Sequence, residues 1–181
     1  MVIVGFRFKL YLLTVIAVAL LPGCQSPEAK RKKQYSTLRI HLESKTETTD
    51  RTEQAPIWRE HPFTVNVQKV PFLTEANVTQ ANVIEVVGGF ALRIQFDHEG
   101  ALLLEQYSML NPGKHFAIFS QFASPPEEKL NSGRWLAAPS INKHITNGVL
   151  VFTPDATREE SDQIVLGLNN LAKKLEKAPE K

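Results

Sequence analysis

The side chains best able to do chemistry in this chain are five histidines, one cysteine and a serine placed three residues before a lysine. His41, His61, His98, His115 and His144 are scattered, with no His-x-His or His-x-x-x-His pair among them. A zinc site needs three or four ligands that converge, so no metal site is expected. His41 alternates with Ile40 and Leu42 and falls beside Arg39 and Glu43 on a polar face, which predicts a solvated histidine. Ser140-Ile-Asn-Lys143 has the Ser-x-x-Lys spacing that, on a helix, lets an amine take a hydroxyl proton in penicillin-recognising enzymes. Here Pro139 precedes it and Asn147-Gly148 follows, predicting a strand on which positions three apart face opposite ways. Neither Ser-Asp-Asn nor Lys-Thr-Gly accompanies it, and there is no Gly-x-Ser-x-Gly elbow or Gly-rich phosphate loop. No catalytic residue is expected, and the chain reads as a non-enzyme.

Cys24 carries the most specific signal. Met1 to Lys9 hold two positive charges and no negative one, and Leu10 to Leu21 form an apolar run. A membrane-spanning helix needs about 20 apolar residues, so this shorter run fits a signal peptide over residues 1–23. The following Leu21-Pro22-Gly23-Cys24 resembles a bacterial lipobox, which implies a covalent acyl lipid (palmitate) on Cys24 and no other cofactor. Cys24 is the only cysteine, so no intramolecular disulfide exists and stability must come from packing. Residues 24–34, with Lys30-Arg31-Lys32-Lys33, read as a basic tether beside anionic lipid. Gln25 is not the Asp that retains enteric lipoproteins at the inner membrane. The expected location is the bacterial cell envelope, anchored and facing the periplasm, with the outer membrane favoured.

These residues need a scaffold. A chain of 181 residues with 43% hydrophobic and 22% charged content can bury one core. From Tyr35 onward 15 basic and 18 acidic residues leave a charge of −3, which excludes the clustered basic surface that nucleic-acid binding requires. Leu38 to Glu43 and Phe63 to Gln68 alternate as strands with one buried face, while Ser44 to Pro62 lacks periodicity and reads as a flexible loop. Val83 to Val87 and Phe90 to Asp97 flank a Gly88-Gly89 hairpin turn. Asn147-Gly148 marks a second hairpin between Ser140 to Ile145 and Val149 to Phe152, and Lys114 to Phe122 adds a strand. A helix is expected from Glu99 to Leu110, capped near Asp97, with Leu103, Tyr107 and Leu110 on its apolar face. A second opens with the capping box Thr157-Arg-Glu-Glu160 and carries Ile164, Leu168, Leu171 and Leu175. The order predicts an α+β fold, mainly antiparallel sheet with two helices packed on one face.

Pro71-Phe-Leu-Thr-Glu-Ala-Asn-Val78, Phe90 to Phe96, Glu99-Gly-Ala101, Asn111-Pro-Gly-Lys114, Ala117-Ile-Phe119, Ala138-Pro-Ser-Ile141 and the Thr157-Arg-Glu-Glu160 helix resemble the periplasmic head subdomain of SecD/SecDF, the membrane subunit that assists preprotein export. The resemblance covers Phe63 to Leu175 and divides the chain into signal peptide 1–23, tether 24–34, strand and flexible loop 35–62, and head-like domain 63–181. It implies contact with emerging polypeptide and no catalytic residues. The transmembrane bundle, intramembrane carboxylates and base subdomain that SecD needs for proton-driven movement do not fit in this chain, so only a binding role carries over. The expected partners are the membrane, through the lipid, and a polypeptide or envelope protein met along a sheet edge from Trp135 to Ile145. Arg134, Trp135, Asn142 and His144 are the expected contact residues, Trp and Arg being enriched at interface hot spots. An envelope enzyme with an unrecognised site and a structural envelope lipoprotein are the competing readings.

Overall fold

Local rules start most of the elements. Among the residues described by the computed structural model, 31, 34–45, 50–58, 62–122 and 133–177, the chain runs β1 (Arg39–Leu42), β2 (Thr52–Ile57), β3 (Phe63–Gln68), β4 (Leu73–Thr74), a 3-10 turn (Glu75–Asn77), β5 (Val78–Val86), β6 (Gly89–Phe96), α1 (His98–Leu110), β7 (Phe116–Ser120), β8 (Arg134–Ala137), β9 (Val149–Phe152) and α2 (Arg158–Glu176). Asp97 caps α1 by accepting the Gly100 N–H at 2.7 Å. Thr157 and Glu160 make the capping box of α2, each side chain taking the other's backbone N–H. Cys24, the expected signal peptide, nearly all of the expected tether, and His61 lie outside the described residues.

The class is α+β with antiparallel pairing, as expected, but the strands divide among three sheets: β4-β1-β7-β8, β2-β3 and β5-β6-β9. One core joins the first and third with both helices. Leu38 beside β1, Ile40 within it, Leu92 and Ile94 of β6, Leu104 of α1, and Ile164 and Leu168 of α2 all lose their water there.

Several expectations are corrected. Residues 44–62 are not a loop throughout: β2 pairs with β3 from Thr52↔Gln68 to Ile57↔Phe63. Its inward face is only Ala55 and Ile57, too short a pattern to stand out among polar neighbours. The strand expected within residues 35–62 is β1, which lies between β4 and β7. The β2-β3 ribbon also corrects His41. With Trp135 it covers the face of β1 that alternation had assigned to water, so His41 is only 3% exposed. The turn between β5 and β6 is Val87-Gly88, because Val86 pairs with Gly89.

The second hairpin does not form. β9 pairs with β6, from Leu92↔Phe152 to Gln95↔Val149, while residues 141–148 run without strand structure. Gly148 has φ +63, and a Cβ there would lie 2.7 Å from the Ala101 Cβ, so the glycine serves a close approach to α1. On α1 the inward row is Gly100, Leu104 and Ser108, with Leu103 and Tyr107 half-buried and Leu110 exposed. On α2 burial ends after Leu168, and Leu175 is exposed. No helix among the described residues is long and apolar enough to cross a membrane.

Candidate functional site

The segment 138–148 connects β8 to β9 and is held along its length by backbone bonds. Phe116 N–H donates to Pro139 O at 3.1 Å, Ile141 N–H to Lys114 O at 2.7 Å, and Gly113 N–H to Ile141 O at 2.9 Å. The buried Ser108 hydroxyl of α1 then accepts the Ile145 N–H at 2.9 Å. With its main chain fixed to β7 and α1, the segment forms one wall of a cavity of about 390 Å³, and β9 lines the cavity through Val149, Leu150 and Val151. Phe116, Ile141 and Ile145 make its apolar lining, and Asn142, Lys143 and His144 its polar lining.

Asn142 and His144 thus sit together and exposed, with His144 Nε2 3.4 Å from Glu105 Oε1. Arg134 and Trp135 lie elsewhere, on β8. The Arg134 guanidinium pairs with Glu160 Oε2 at 2.6 Å and stands over the Phe122 ring at 5.4 Å. Trp135 meets His41 and Phe119 edge-on at centroid distances of 5.1 and 5.3 Å and packs on the cluster of Ala55, Val65 and Val67. Both side chains bind the fold to itself. The expected continuous edge from Trp135 to Ile145 is therefore corrected: Arg134–Ala137 is an edge strand on β7, and the chain leaves strand geometry after it.

Sequence reasoning missed a second constellation at this wall. Glu43 Oε2 accepts both the His115 backbone N–H at 2.9 Å and the Nδ1–H at 2.8 Å, while His115 Nε2 lies 3.0 Å from Ser140 Oγ. The sequence separations are 72 and 25 residues, and no motif announces them. Lys143, the other half of the Ser-x-x-Lys match, is exposed on a bend rather than on a strand or a helix with Ser140. Burial, countered only partly by hydrogen bonding to Gln68, pushes the His41 imidazole below its ordinary pKa of 6.5. Among the described residues no three His, Cys, Asp or Glu side chains meet as metal ligands would.

The family model of the SecDF P1 head subdomain matches residues 47–172. The chain belongs to the SecDF P1 head subdomain family. Two solved structures of SecDF have the same fold. One, of the membrane component SecDF that enhances protein export, is 22% identical with a TM-score of 0.54, over 83% of this chain and 71% of that one. The other, SecDF in a super-membrane-facing form, is 21% identical with a TM-score of 0.54, over 81% of this chain and 21% of that one. At these identities the likeness is one of fold. No curated protein matches the chain. The match to the P1 head begins after Glu43, so His115 and Ser140 fall inside the family region and their acidic partner outside it.

Proposed function

We propose that this P1-head protein is a lipid-anchored, periplasm-facing binding module of protein export, and that it holds extended polypeptide without making or breaking bonds in it. The observation that carries the reading is the position of β9. It pairs with β6 on one side only among the described residues, and it borders the cavity walled by residues 138–148. Free backbone groups on such an edge can pair with an incoming chain, and side chains around the cavity add modest selectivity. The apolar lining suits alternate side chains of an extended segment, and Asn142 and His144 stand at its polar margin. Family membership supports the export context, since SecDF enhances protein export. The lipobox at Cys24 and the absence of an Asp after it support an envelope anchor, with the outer membrane favoured.

Photo-crosslinking tests the binding role. A crosslinker at Asn142 or His144 is expected to capture unfolded periplasmic polypeptide, and one at exposed Asp162 on α2 to capture far less. Equal capture from both places, or none from either, would leave the structural lipoprotein as the better reading.

A further inference from the structure

Ser140, His115 and Glu43 are not needed for strand addition, yet their geometry is that of an activated hydroxyl. We propose that Ser140 is a nucleophile, with His115 as its general base and Glu43 as the group that orients the base, acting on a carboxylic ester. This goes beyond the binding role and does not depend on it.

The three side chains come from three places. Glu43 follows β1, His115 precedes β7, and Ser140 lies in the segment after β8, bridged to His115. Because one carboxylate oxygen takes both the backbone N–H and the Nδ1–H of His115, the ring orientation is fixed, and Nε2 is left as the acceptor facing Ser140 Oγ at 3.0 Å. A serine hydroxyl is a weak nucleophile until a neighbouring base takes its proton, and a base held by a third group is the arrangement that does this. Ser140 is exposed, while His115 and Glu43 are half-buried, so the hydroxyl is the most accessible of the three groups.

The surroundings leave the hydroxyl open to solvent. Ser140 Oγ shares a face of the sheet with His115, while the neighbouring Phe116 and Ile141 turn to the opposite face and are buried in the core, so an ester reaches the hydroxyl from solvent. The His115–Ser140 bridge is flanked by Phe116 N–H to Pro139 O and Ile141 N–H to Lys114 O. In such a pair the Ser140 N–H points away from β7, which leaves that amide for a developing oxyanion. In the reaction Ser140 Oγ bonds to the carbonyl carbon as its proton passes to His115 Nε2. The bond to the alkoxide then breaks, the alkoxide takes that proton, and an alcohol departs from acyl-Ser140. Water gives a proton to Nε2, attacks the acyl carbon and displaces Ser140 Oγ, which takes the proton back as the carboxylic acid leaves.

The test uses the full-length chain with a fluorophosphonate probe, followed by peptide mass spectrometry and by hydrolysis of p-nitrophenyl butyrate. A phosphonyl adduct on Ser140 is expected, absent in Ser140→Ala. The labelling and hydrolysis rates should fall by about 100-fold in His115→Gln, the range a general base supplies. Glu43→Gln should lower the rate with less effect on probe reach. An unlabelled Ser140 in the native full-length chain would overturn the proposal. So would an adduct formed equally fast in His115→Gln and Glu43→Gln, since the hydroxyl would then owe nothing to the relay. Loss of labelling with crosslinking from Asn142 intact would separate this failure from failure of the binding role.

Discussion

His41 shows how one residue records the packing around it. Its Nδ1–H donates to Gln68 O at 2.7 Å and its ring meets Trp135, so the neutral imidazole is satisfied where a charged one would lose its hydration. The folded state therefore holds its proton less tightly than the unfolded chain, with a pKa below 6.5. This stability is fully present above 6.5 and is lost as the pH falls through the folded value, because the unfolded state then binds the extra proton. The melting midpoint should drop as the pH is lowered from above 6.5 into the acid range. In His41→Gln the midpoint should start lower and the drop should be shallower. An equal slope in both proteins would assign the acid sensitivity to other groups. His115 differs in kind: its ring bonds to side chains, Glu43 and Ser140, and it keeps part of its surface in water.

At the scale of elements, the weak point of a small sheet is its edge, and here one edge is covered. β5 is an outer strand, and at Ala81 its two outward backbone groups are taken by the Asn169 side chain of α2. Oδ1 accepts the Ala81 N–H at 2.8 Å and Nδ2 donates to Ala81 O at 2.9 Å. One amide thus imitates a neighbouring strand, joins helix to sheet and blocks pairing with another chain at that point. Asn169→Ala should cost about 1–3 kcal/mol, since Ala81 is buried and its backbone groups would lose their partners. Asn169→Asp should not restore the loss, because a second oxygen would face Ala81 O. Urea denaturation measures both, and an unchanged midpoint in Asn169→Ala would show that water replaces the amide. β9, at the opposite edge of the same sheet, borders the cavity instead. The contrast between a covered edge and one beside a cavity is what directs the binding proposal to β9.

At the scale of the whole molecule, the anchor proposed at Cys24 would confine the P1 head near a membrane surface and so raise its effective concentration toward chains emerging there. Cys24→Ser should abolish acylation and leave a heavier precursor with its signal peptide unprocessed, read by fatty-acid labelling and intact mass. Continued labelling of that variant would show that the lipid, if present, is not on Cys24.

Signals that span one turn or one hairpin were legible in the sequence, because the partners stand within a few residues of each other. The Asp97 cap, the Thr157–Glu160 box and the β5–β6 hairpin need no distant residue to form, and the family's small motifs sit on these elements. Tertiary structure alone decided what covers each face and which distant side chains meet. Alternation put His41 on a polar face, but only assembly of the β2-β3 ribbon could show that this face is covered. Asn147-Gly148 looked like a hairpin turn until the pairing of β9 with β6 assigned Gly148 to a helix contact. Glu43, His115 and Ser140 lie on three separate segments, and their meeting is a property of how β1, β7 and the segment after β8 are stacked, which no local spacing encodes.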